Sequence, residues 1–342
     1  MPKRKQPKIT WFHRLFLLGL GFLLVGVLLI IIEIASRFLC PQWAPVSGTC
    51  QYYWNHDEKL GWSHKPNRNG RFTRRDFSIQ VNINSDKLRD DEYSRNRTGK
   101  KRMLVLGDSF GWGWGVDVEN RFSEIVEKRH PDWEIINSSV PGYSTDQQYL
   151  YLKEQGIGFN PDVVLLLVYL NDFEGNTTPE FCLYNKPYFV RSGEGLVLKN
   201  SPVPARSIRQ RLEFYLVERT YFLRQIYHGG VVLRSKFAWR KKPASQARPD
   251  DPRRVQNEIM TYLIKSMKDL CASRNMQLVL VSCPMDAQRR TVLRNACESA
   301  GIPFLPLDSA FANPLDRTDF PHDVHWNALG HRIAADAIDA FL

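Results

Sequence analysis

Ser109, Gly142, Asn171 and the stretch Asp319–Asn327 are the residues whose types and spacing could do chemistry. Ser109 follows the apolar run Met103, Leu104, Val105, Leu106 across Gly107 and Asp108. A buried strand that breaks into a tight turn lifts a small polar side chain clear of the sheet edge, where a nucleophile can reach an acyl carbon. A serine hydroxyl is a poor nucleophile until a base takes its proton and donors stabilise the oxyanion it creates. His322, Asp323 and His325 supply imidazole and carboxylate together, directly before a terminal helical pattern. Gly142 follows an apolar run that ends at Asn137 and, lacking a side chain, leaves its N–H open to an approaching oxygen. Asn171 follows another run and offers an amide donor. Singly these would be a turn glycine, a helix cap and a surface histidine. Their order, each after a successive strand, points to acyl transfer through an acyl-serine.

Those side chains need a scaffold, and the chain supplies a rhythm of strand, turn and helix. Strands are predicted at 103–107, 133–137, 163–170, 277–282 and 303–307, with helices near 120–130, 145–156, 253–274, 288–300 and 328–341. The run 163–170 is apolar throughout, as a strand covered on both faces should be. The alternation implies an α/β fold, a parallel sheet with helices on both sides. Residues 33–100 read as a tether followed by a strand-rich apron, in which 77–83 alternates apolar and polar side chains. Residues 174–250 interrupt the rhythm. Within them 206–227 has apolar residues at helical period with Arg209, Arg211, Arg219 and Arg224 between, either a solvated surface helix or a lid or membrane-apposed element. Trp112 and Trp114 either line an acyl or sugar pocket or pack the first helix onto the sheet.

The net charge of +11 is concentrated in two places. Residues 1–14 carry five basic residues and no acid, and 174–250 carry fourteen Lys/Arg against six Asp/Glu. The body holding Ser109 is near neutral, and no nucleic-acid module accompanies the basic insertion. From Leu15 to Ile32 the chain has neither charge nor proline, long enough for a transmembrane helix. The basic tail assigns the N-terminus to the cytoplasm and the rest of the chain to the far side of the membrane. A cleaved signal peptide would need a small-x-small site, which the stretch after Glu33 does not offer. The expected organisation is a tail at 1–14, a span at 15–32, the tether and apron at 33–100, and a catalytic domain at 101–342 with an insertion at 174–250. Among six cysteines, Cys40 and Cys50 make the most local disulfide option, and no cysteine or histidine grouping has zinc-site spacing.

Gly107-Asp108-Ser109-Phe110, Gly142, the Asn171-Asp172 pair and the terminal Asp/His block together resemble the four signature blocks of the SGNH (GDSL-type) hydrolases. The resemblance runs from about Met103 to the C-terminus, apart from 174–250. It implies a three-layer α/β/α sandwich with a five-stranded flavodoxin-like sheet, and no cofactor or metal. Ser109 would be the nucleophile and His325 the base, with Ser109 N–H, Gly142 N–H and the Asn171 side chain as the oxyanion hole. The N-terminal span and Asn84–Asp90 also resemble membrane-tethered bacterial members. The usual final block places Asp three residues before His, whereas Asp323 stands two before His325 and Asp319 three before His322. Asp323 with His325 is the preferred pair and Asp319 with His322 the alternative. The expected activity is a membrane-tethered serine esterase acting on ester-linked acyl groups of small molecules, glycans or lipids. An O-acyltransferase using the same serine, or an idle binding module, are the other readings.

Overall fold

The computed structural model describes residues 10–39, 52–181, 183–193, 195–227, 229–230 and 251–342. Two compact units emerge, residues 1–45 with 215–241 and residues 46–214 with 242–342. The first is built on helix α1, Trp11–Leu39, 29 residues long and apolar enough to cross a membrane. Near its C-terminal end the Glu33 carboxylate accepts the N–H groups of Tyr221 and Phe222, both at 3.1 Å. Those are otherwise unsatisfied donors at the start of the helical stretch 221–227. The Arg37 guanidinium sits 5.5 Å from the Tyr221 ring centre.

The second unit begins with two antiparallel hairpins, β1 (Trp54–Asp57) with β2 (Gly61–His64) and β3 (Arg68–Thr73) with β4 (Ser78–Ile83). The α/β body follows as β5 (Lys101–Leu106), α2 (Ser109–Trp112), α3 (Phe122–Arg129), β6 (Trp133–Asn137), α4 (Thr145–Glu154), β7 (Val163–Val168) and α5 (Asn171–Gly175). Residues 180–214 then form the hairpins β8 (Glu180–Phe181) with β9 (Tyr184–Asn185) and β10 (Tyr188–Ser192) with β11 (Gly195–Lys199), and the first half of helix α6 (Ile208–Arg219), whose second half is counted with the first unit. The body resumes with α7 (Pro252–Ala272), β12 (Gln277–Ser282), α8 (Ala287–Ala300) and β13 (Phe304–Pro306). It closes with the short pair β14 (Asp319–Phe320) and β15 (Asp323–Trp326) and helix α9 (Ala328–Phe341).

Five of these strands form one parallel sheet in the order β13-β12-β7-β5-β6. Numbered along the chain this is 2-1-3-4-5, the doubly wound flavodoxin-like order, whose direction reverses between β5 and β7. Side chains alternate between the two faces as the strand period demands. Leu104, Leu106, Val164 and Leu166 join a core with α4, α7, α8 and the apron aromatics Tyr53, Trp62 and Phe72. Met103, Val105, Val163 and Leu165 join a core with α3 and α9. The sandwich therefore has three layers, with the apron adding to one of them. The third sheet strand stops at Val168, not residue 170, because Tyr169 and Leu170 already turn into α5.

Two histidines are buried without charge. His64 donates Nδ1–H to the Lys87 carbonyl at 2.9 Å, and burial pushes its pKa down to about 4. Burial likewise pushes His331 down to about 3, where its Nδ1 accepts the Phe122 N–H at 3.4 Å. Both pKa values lie below the unfolded value of 6.5, so the unfolded chain binds the extra protons. Stability is complete above about pH 6.5 and falls as the pH drops toward the folded values. Between pH 6.5 and 4 the wild type should lose about 3 kcal/mol more than His64→Gln, measured by denaturant unfolding in detergent. Parallel stability curves for the two proteins would contradict the burial of a neutral imidazole there.

Candidate active site

Ser109 is the first residue of α2, at the carboxyl end of β5 and beside the point where the strand order reverses. Open α/β sheets hold ligands in that crevice. Asp108 caps the turn, its Oδ1 accepting the Phe110 N–H at 2.9 Å. As the first residue of a helix, Ser109 has a backbone N–H with no intrahelical partner. The segment after β6 fastens the turn from one side. Val140 N–H donates to the Gly107 carbonyl at 3.2 Å and Asn137 Nδ2 to the Gly111 carbonyl at 2.9 Å. The approach is so close that a Cβ on Gly111 would come within 2.3 Å of Ser139 Oγ, which is why α2 carries glycine there.

Ser109 Oγ lies 2.7 Å from His325 Nε2. On the other side of the imidazole, Nδ1 is hydrogen-bonded to Asp323 Oδ1, which also accepts the His325 backbone N–H at 3.1 Å. An ionised carboxylate can only accept, so Nδ1 carries the proton and the Nε2 lone pair faces the serine hydroxyl. Burial works to raise the Asp323 carboxyl, but the bonds from His325, joined by one from Trp114, outweigh it and hold it below the usual range. Trp114 Nε1–H donates to Asp323 Oδ2 at 3.2 Å. The alternative histidine is engaged elsewhere. His322 takes Asp76 as its partner, through its backbone N–H and through Nδ1, both at 2.8 Å.

Gly142 occupies the third position of a turn closed by Tyr143 N–H on the Val140 carbonyl at 3.1 Å. With Pro141 before it and φ at +80°, this is type II turn geometry, which favours glycine. Its N–H takes no part in the bond that closes the turn. A Cβ added there would also meet Phe181 at 3.1 Å and Trp62 at 3.3 Å. Asn171 opens α5 at the carboxyl end of β7, half-buried. Its Oδ1 is buried with no hydrogen-bond partner among the described residues.

Acidic groups beneath the turn are strongly perturbed. Burial pushes the Asp108 carboxyl up to about 6, against the opposing pull of Phe110 N–H and His325. Asp172, buried next to it, is raised well above the carboxylate range, by burial first and by the Asp108 charge second. Farther in, Lys186 from the insertion is fully buried, donating to Asp146 Oδ2 at 2.5 Å and to the Gly175 carbonyl at 2.7 Å. Asp76 and Lys186 are not distinguished by their local sequence, whereas Trp114 fits packing or a pocket lining. Only Trp114 carried a signal, its closeness to Ser109. The thiols of Cys271, Cys283 and Cys297 are free and buried, while Cys40, Cys50 and Cys182 lie outside the described residues. Among the described residues no three His, Cys, Asp or Glu side chains cluster as metal ligands would.

Comparison with known proteins places the chain in a family. No curated relative matches the sequence. Solved structures with a similar chain path include TesA, at 11% identity and TM-score 0.43, covering 71% of this chain and 98% of that one. The acetyl xylan esterase AlAXEase is 13% identical with TM-score 0.41, covering 70% and 98%. A GDSL-like lipase from Bacteroides thetaiotaomicron is 13% identical with TM-score 0.39, covering 72% and 90%. The model of the GDSL-like Lipase/Acylhydrolase family matches residues 105–333, a stretch that takes in Ser109, Gly142, Asn171 and His325. The chain belongs to the GDSL-like lipase/acylhydrolase family of ester-cleaving enzymes.

Proposed function

We propose that this protein is a membrane-tethered serine esterase that removes ester-linked acyl groups from envelope glycans or lipids. The observation that carries the reading is the continuous chain of hydrogen bonds from Ser109 through His325 to Asp323. In the proposed cycle Ser109 Oγ attacks the ester carbonyl carbon as His325 Nε2 takes the hydroxyl proton. Negative charge moves onto the carbonyl oxygen, where Ser109 N–H, Gly142 N–H and the Asn171 amide donate to it. His325, now charged and steadied by Asp323, protonates the alcohol as the carbon–oxygen bond breaks. Water, deprotonated by His325 in turn, attacks the acyl carbon, and His325 returns that proton to Ser109 Oγ as the acyl–oxygen bond breaks and the free acid leaves.

The membrane anchor is α1, about 43 Å long at helical rise against a hydrocarbon core of about 30 Å. Its basic N-terminal flank supports an N-terminus in the cytoplasm and a catalytic part outside it. In this reading residues 1–14 are the tail, 15–32 the core of the span, 33–100 the tether and apron, and 101–342 the hydrolase domain with its insertion at 174–250.

Ser109→Ala should abolish hydrolysis of p-nitrophenyl acetate and labelling by a fluorophosphonate while leaving Tm nearly unchanged. Retained turnover in the pure variant would remove Ser109 from the mechanism. Asn171→Ala should lower kcat roughly a hundred- to thousandfold with little change in fold, as loss of one oxyanion donor does. An acetylated glycan incubated with the enzyme should release free acetate. Transfer of the acetyl to an added glycan acceptor, read as a mass gain, would instead identify an O-acyltransferase.

A further inference from the structure

Asp323 and His325 stand two residues apart on β15 and so share one face of the strand. Both bonds from His325 converge on one carboxylate oxygen, Oδ1. The terminal torsion of an aspartate is broad and soft, so bonds to a single oxygen leave the carboxylate plane free to turn. What fixes the second oxygen comes from elsewhere in the chain. Trp114 Nε1–H reaches Asp323 Oδ2 at 3.2 Å, and the indole ring lies 5.4 Å from the His325 ring.

Trp114 is itself held from several sides. It lies between Gly113 and Gly115, both with left-handed backbone at φ +79° and +90°. A Cβ on Gly115 would fall 2.4 Å from the Phe320 ring, so the loop packs directly on β14. The fully buried Arg89 grips the loop from beneath. Its Nη1 donates to the carbonyls of Trp112 at 3.1 Å and Gly113 at 2.8 Å, and its Nη2 to that of Val116 at 2.8 Å. Phe72 of the apron meets the indole edge-on at 4.9 Å.

We propose that Trp114 is a positioning residue for the acyl-transfer site, its indole N–H fixing the plane of the Asp323 carboxylate so that Oδ1 stays on His325 Nδ1. The inference rests on the proposed roles of Ser109, His325 and Asp323. His325 holds one oxygen of Asp323 and the tryptophan supplies an anchor for the other. Its contribution falls on kcat, since the imidazolium that Asp323 steadies forms only after substrate is bound.

The test uses the full-length chain in detergent with p-nitrophenyl acetate. Trp114→Phe keeps a ring and drops the N–H. Replacement of Trp114 by 3-benzothienylalanine keeps the indole outline and also drops it. Each should lower kcat roughly threefold to thirtyfold with KM within about twofold. In an Asp323→Ala background the same replacements should change kcat by less than about twofold, because the carboxylate they act through is gone. A benzothienylalanine enzyme with wild-type kcat, or equal losses in both backgrounds, would overturn the proposal. Turnover surviving Ser109→Ala would instead overturn the site reading beneath it, so the two failures are distinguishable.

Discussion

A 2.7 Å hydrogen bond between Ser109 Oγ and His325 Nε2 joins two elements that the parallel sheet does not itself connect. Ser109 rides on β5, which has β6 on one side and β7 on the other, so its position follows from the ladders. His325 rides on β15, half of a two-stranded piece outside that sheet. A hydrogen bond tolerates only a few tenths of an ångström of error, so the loop 319–327 must be located from other directions. The residue after the histidine does much of this. Trp326 is buried between Phe110 and Phe311, both 5.0 Å away by ring centre. Asn327 then caps α9 with its oxygen while its amide holds the Arg317 and Asp319 carbonyls. Asp76, at the turn between β3 and β4, secures His322.

Buried charges hold the loops around the sheet in the same way. Arg121 is fully buried against Asp90 at 2.9 Å, and the other oxygen of Asp90 accepts the Asn137 N–H at 2.6 Å. The segment before β5 is thereby joined to the end of β6, just upstream of Gly142. On the opposite flank Lys186 joins the start of α4, which follows Gly142, to the last residue of α5, which begins at Asn171. Pairs of this kind add little net stability, because taking both ions out of water offsets their attraction. Losing one partner is far costlier, about 3–5 kcal/mol. Their effect is therefore to exclude other arrangements of these loops more than to deepen the native well.

The sequence carried the sheet clearly, because apolar runs bounded by turns state their own period. The strands at 133–137 and 277–282 and the helix ending at Phe341 are where periodicity places them. It set Ser109 apart because an apolar run breaks into a turn there, and His325 by its place before the last helix together with the resemblance to the family's final block. It could not carry the distal partners. Nothing local to Asp76 announces that it will meet His322, which lies 246 residues away. Lys186 counted as one more charge in a basic insertion, yet its ammonium is buried on Asp146. Arg89 lay in Asn84–Asp90, a segment distinguished only by resemblance, and its grip on the loop of Trp114 is a fact of three dimensions. β14 and β15 escaped because strands of two and four residues have no period to detect.

Parts that the sheet does not dictate also reach the candidate site. Gly142 is flanked by Phe181 from the insertion and by Trp62 from the apron, close enough that even a methyl group on the glycine would touch both. Trp62 is fixed in turn by its indole N–H on the Pro141 carbonyl at 3.1 Å and by packing on Tyr143 and Tyr184. One ring from the insertion and one from the apron thus pack directly against the turn that carries Gly142. Ser109, Gly142 and Asn171 follow the ends of β5, β6 and β7, whereas the walls of the Gly142 turn come from two regions outside the sheet.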